Sequence, residues 1–155
     1  MKNIHAAKCG LTAAALLLAF PVGSQSLKTP EIKAGTLKGN CQYNANAFRL
    51  LDGTNGFANC NGLVIKRNGN KASFDFRRGS WGSMVRYDGD LSGDVMTIDH
   101  IKLRGKQLQA AEGTCTVYWH EQFGDGMRVS TVTCVAKVAQ MTYVANFMVS
   151  RINLD

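Results

Sequence analysis

The acidic run Asp88, Asp90, Asp94 and Asp99 is the first place where residue types and spacing could do chemistry. Counted from Asp88, carboxylates stand at positions 1, 3 and 12 with Ser92 at 5 and Gly93 at 6, the ligand order of a helix-flanked calcium loop. Such a loop needs helices on both sides. Gly79 and Gly82 spoil an entering helix, Gly105 shortens an exiting one, and Asp99 lacks the bidentate reach of a glutamate. A β-hairpin explains the same residues, so no metal site is expected. Gly79-Ser80-Trp81-Gly82-Ser83 misses the Gly-x-Ser-x-Gly spacing of a nucleophile elbow. Asp99 precedes His100, but strand neighbours face opposite sides and form no relay without a bulge. His120 stands beside a turn. With no glycine-rich phosphate loop and no paired-carboxylate motif, the expectation is no catalytic residue, no cofactor and no enzyme.

The cysteines and the cations say more. Cys41, Cys60, Cys115 and Cys134 form two sequential pairs, each separated by nineteen positions, and lack the close Cys-x-x-Cys spacing of a metal site. Arg77 and Arg78, then Lys102, Arg104 and Lys106, then Lys137 fall at or beside three separate turns without an acid among the turn residues. Trp81 stands in the first of those turns, where it could close a barrel end as core, the favoured expectation, or offer an aromatic face beside two guanidinium groups.

The elements that must position these residues are strands. From Gly62 onward, short β-rich runs alternate with glycine-containing turns, the mark of antiparallel strands rather than βαβ units. The runs are 63–67, 71–76, 84–91, 95–103, 107–120, 127–137 and 142–149, with Asn68-Gly69-Asn70 the strongest hairpin turn. In the third, Val85, Tyr87 and Leu91 share a face opposite Arg86, Asp88 and Asp90, the alternation of a half-buried strand. In the hairpin around Gly124, opposed residues have numbers that add to a constant. Placing Cys115 opposite Cys134 also pairs Thr116 with Thr133, Val117 with Val132, Tyr118 with Thr131, and Glu121 with Arg128. Directly opposed residues lie within disulfide range, so Cys115–Cys134 is expected and, by elimination, Cys41–Cys60. Residues 45–51 could form two helical turns capped by Asn44 and stopped by Gly53.

Seven sequential strands, with an eighth from the Cys41 or Cys60 region, predict an all-β, antiparallel up-and-down meander closed as a small β-barrel of roughly eight strands, a β-sandwich being the alternative. In such a meander alternate turns emerge at one end, which would gather Arg77, Arg78, Trp81, Lys102, Arg104, Lys106 and Lys137 into one basic, binding end.

The N-terminus sets the compartment. Lys2, His5 and Lys8 precede the apolar run from Leu11 to Phe20, and Val22-Gly23-Ser24 offers small residues for cleavage, so residues 1–24 read as a signal peptide. Residues 25–39 read as a flexible leader and 40–155 as a single disulfide-bonded β domain, with no transmembrane segment after signal removal. The expected location is exported, periplasmic or extracellular. Loss of Lys2 and Lys8 lowers the formal charge from +7 to +5, still basic. The function this supports is an exported non-catalytic binding protein engaging an anionic surface or macromolecule: an anionic glycan, a lipid head group or an acidic protein surface. A barrel carrying a small apolar ligand and an inhibitor of a secreted hydrolase are the alternatives.

Overall fold

The structure, a computed structural model, describes residues 30–43, 54–122 and 126–150. Among the described residues nine strands are formed: β1 (Gly35–Cys41), β2 (Thr54–Phe57), β3 (Gly62–Asn68), β4 (Lys71–Arg77), β5 (Ser83–Ser92), β6 (Val95–Leu103), β7 (Leu108–Gln122), β8 (Gly126–Val138) and β9 (Met141–Val149). From β3 to β9 each strand pairs antiparallel with the next, and β1 pairs with both β3 and β9, closing an eight-stranded barrel. β2 is the ninth strand and lies parallel to β9 over Met141 to Val144, where β1 does not reach. The seven expected strands are therefore present, and the region around the first two cysteines supplies two more. The helical turns expected over 45–51 lie outside the described residues.

Alternation puts the apolar set inside. Leu63, Phe74, Phe76, Tyr87, Met96, Ile101, Val117, Val132 and Phe147 are fully or almost fully buried and fill the barrel. Phe76 is packed edge-on against both Tyr87, at 5.7 Å between ring centroids, and Phe147, at 6.3 Å. Each such pair adds about 0.5–1.5 kcal/mol beyond its buried area. The barrel is a packed core rather than a tube.

Both disulfides pair as the spacing and register predict, Cys41 with Cys60 and Cys115 with Cys134. The β7–β8 register runs as expected from Cys115–Cys134 to Tyr118–Thr131 and then slips. Ser130 is an extra residue on β8, its hydroxyl donating to the Tyr118 carbonyl at 3.0 Å. Trp119 consequently faces Val129, and His120, not the expected Glu121, stands opposite Arg128.

The leader expected over 25–39 is also corrected. Its last residues, Gly35 to Gly39, form most of β1, Ile32 is buried, and Arg67 grips both Glu31 (2.8 Å) and the Ile32 carbonyl (3.1 Å). Leu37 and Cys41, half-buried, and Gly39, buried, face inward from β1, so the strand has little apolar alternation to announce it. A Cβ at Gly39 would overlap the Met148 carbonyl, so the close approach that closes β1 onto β9 requires glycine.

A second bulge sits in β6. Met96 and Ile98 point inward, and the next inward residue is Ile101 rather than His100. The ladders to β5 and β7 both shift at Asp99, and His100 is turned to the outer wall.

Candidate functional site

The connection from β4 to β5 is a single 3-10 turn, Gly79–Trp81. It is closed by the Arg78 amide donating to the Gly82 carbonyl (3.0 Å) and the Trp81 amide to the Arg78 carbonyl (2.8 Å). Asn61, ahead of β3, fixes it from the side by accepting the Gly79 amide at 2.8 Å. The connection from β6 to β7 begins at Arg104, whose amide donates to the Met84 carbonyl at 3.0 Å and so ties the second loop to the end of the first.

These two loops meet at Trp81. The guanidinium of Arg78 lies 4.8 Å from the centroid of its ring, and that of Arg104 lies 4.8 Å from it as well. Each contact is worth about 0.5–1 kcal/mol at an exposed site. Its larger effect is on order, because two long cationic side chains are held by one flat surface. Trp81 is 54% exposed, so it does not plug the barrel end as core. Among the described residues no carboxylate pairs with Arg78 or Arg104. Their donor edges remain open to an outside acceptor.

The other expected members are placed less closely. Arg77 leans on Asp75 at 3.7 Å. Lys102 is exposed on the wall, in register between Arg86 and Leu108. Lys106 is exposed in the β6–β7 turn, its amide donating to the Leu103 carbonyl. Lys137 stands opposite Glu112, four residues into β7, and does not join the Arg78–Trp81–Arg104 stack.

Two cations toward the other end of the barrel are matched by acids. Arg67 pairs with Glu31, and Lys71 with both Asp90 (2.8 Å) and Asp99 (3.1 Å). The β6 bulge brings Asp99 against His100 Nδ1 at 2.8 Å, the contact that regular strand geometry would forbid. The Asp99 carboxyl is held below its ordinary value, first by the hydrogen bond with His100 and then by Lys71. Among the described residues no hydroxyl or thiol bonds to the imidazole, and the contact forms part of an exposed charge network. The acidic run weighed as a calcium loop is the β5–β6 hairpin, with Asp88 accepting from Arg86 Nε at 3.0 Å.

One further feature stands at the basic end. A cavity of about 260 Å3 opens beneath β2, lined by Phe57, Met84, Tyr87, Leu103, Arg104 and Tyr143 among others. Tyr87 is fully buried, its hydroxyl has no hydrogen-bond partner, and burial pushes the phenol up from its ordinary pKa. Sequence alternation marks Tyr87 as inward-facing, but nothing local signals that β2 joins it in lining a cavity. The chain matches no protein-family model, no curated protein and no solved structure.

Proposed function

We propose that this chain is an exported, non-catalytic binding protein that engages an anionic surface or macromolecule through the basic end of its barrel. The observation that carries the reading is the Arg78–Trp81–Arg104 stack: two guanidinium groups without acidic partners among the described residues, held by a half-exposed indole. Guanidinium forks suit carboxylate, sulfate and phosphate oxygens, and prior ordering reduces the entropy lost on binding. The contrast with the matched cations toward the other end supports a polarised molecule, which orients an anionic partner during encounter. The two disulfides are compatible with an oxidising location, which supports export. The packed interior supports surface binding over a ligand carried within the barrel.

The test is retention on heparin and on anionic phospholipid vesicles as salt rises. Affinity should fall steeply between about 20 mM and about 200 mM ionic strength. Arg78→Ala and Arg104→Ala should each weaken binding severalfold, and Trp81→Ala should weaken it with no loss of charge. Binding indifferent to salt and to all three substitutions overturns the reading.

A further inference from the structure

The basic end carries apolar surface as well as charge. Trp81 stands half-exposed in the β4–β5 connection between Arg78 and Arg104. Leu108, which opens β7 after the β6–β7 turn and lies in register with Lys102, is 48% exposed. Phe57 is 38% exposed and lines the groove to which Met84, Leu103 and Arg104 also contribute. Arg104 therefore belongs to both the stack and the groove, and cationic and apolar side chains are interleaved at this end. The opposite end differs in the sign of its neighbours: Val95 follows Asp94, and Met127 stands opposite Glu121, so its exposed apolar residues sit beside acids. An acidic glycan would use only the cations. Apolar side chains beside them gain free energy where an apolar phase lies behind a layer of anions, which is the make-up of a phospholipid surface. An indole suits the boundary between those layers, since its ring is amphipathic.

We propose that the basic end docks on an anionic phospholipid surface, with Arg78 and Arg104 on lipid phosphates and Trp81, Leu108 and Phe57 entering the boundary between head groups and acyl chains. This deepens the anion-binding reading and rests on it for the two arginines: the partner is a lipid surface rather than a soluble polyanion. Binding then has two parts. The guanidinium part acts at a distance, is screened by salt and is shared with any polyanion. The apolar part begins only on contact, resists salt and exists only on lipid.

The probe is a unilamellar vesicle of phosphatidylglycerol and phosphatidylcholine in equal parts, set against vesicles of phosphatidylcholine alone and against heparin. On the anionic vesicles, Trp81 emission should move to shorter wavelength and be quenched by lipid brominated on its acyl chains. Trp119 packs against the core, so the Trp81→Phe variant, which keeps it, should show neither change. Leu108→Asn, on the exposed wall, should weaken vesicle binding roughly fivefold and leave heparin retention unchanged. Arg104→Ala should weaken both, roughly fivefold on vesicles. Rising salt should lower binding to both, and less far on vesicles than on heparin. Equal binding to the neutral vesicles, absence of bromine quenching, or a Leu108→Asn variant that binds anionic vesicles as well as the unsubstituted protein overturns the proposal. Heparin separates the two readings: salt-sensitive retention that survives any of those results leaves a soluble polyanion as the partner, whereas loss of heparin and vesicle binding alike sinks both.

Discussion

At the scale of single residues, the outer wall and the interior respond to different variables. Asp99 is stabilised as an anion by His100 and Lys71, so its folded pKa lies below its unfolded value. Its contribution to stability is therefore present above the ordinary carboxylate range, near pH 4, and is lost as pH falls through the lower folded value. Urea denaturation followed from about pH 5 to about pH 2 should show a falling midpoint, and Asp99→Asn should make that fall shallower. Lys71 carries the opposite sign. Its pKa is raised by Asp90 and then Asp99, so its contribution is full below the ordinary lysine value and is lost as pH climbs through the folded one. Tyr87 answers to packing. Because its hydroxyl is buried without a partner, Tyr87→Phe should leave the protein as stable or more stable by about 1 kcal/mol, read as an unchanged or raised urea midpoint. Trp81 shows what local sequence does and does not carry. Its neighbour Arg78 is three positions away, but the second guanidinium comes from Arg104 on a different turn. That juxtaposition was legible only through topology, as a consequence of alternate turns emerging together, and Lys137 shows the limit of the same inference. Shared ends do not imply shared contacts when strands are staggered.

At the scale of elements, register was legible where side chains alternate and illegible where the backbone departs from alternation. Cys115, Thr116, Val117 and Tyr118 meet the partners that a constant-sum pairing assigns them. Ser130 then inserts, and no residue type nearby compels it. The eighth strand was expected near Cys41 or Cys60, but the reach of β1 back to Gly35 was illegible for a related reason, since its tightest contact is made by a glycine with no side chain to betray it. β6 depends on a similar close approach. Gly89 faces the carbonyl of Thr97 where the ladder shifts, and a Cβ there would overlap backbone atoms on β6. Gly89→Ala should destabilise the barrel by about 2–3 kcal/mol, seen as a lower thermal midpoint, and should disturb the Asp99–His100 contact. Loss of the Cys115–Cys134 link, by replacing both cysteines with alanine, should cost about 2–5 kcal/mol in the same assay.

At the scale of the molecule, the distribution of acids matters more than the formal charge of +7. Total charge governs solubility and general attraction, but Glu31, Asp90 and Asp99 cancel cations away from Trp81, while Arg78 and Arg104 pair with no carboxylate among the described residues. Association with an anionic polymer should therefore slow more on Arg78→Ala than on Lys71→Ala, although each removes one charge, and stopped-flow rates at low salt will separate them. β2 adds a consequence in time. It is held by four register pairs to β9 and lies in the segment that Cys41–Cys60 closes, apart from the continuous barrel wall. With so few partners, its amides should exchange with solvent faster than those of β5 or β8. Reduction of Cys41–Cys60 should therefore speed exchange in β2 more than in β5 or β8, with the barrel wall still folded.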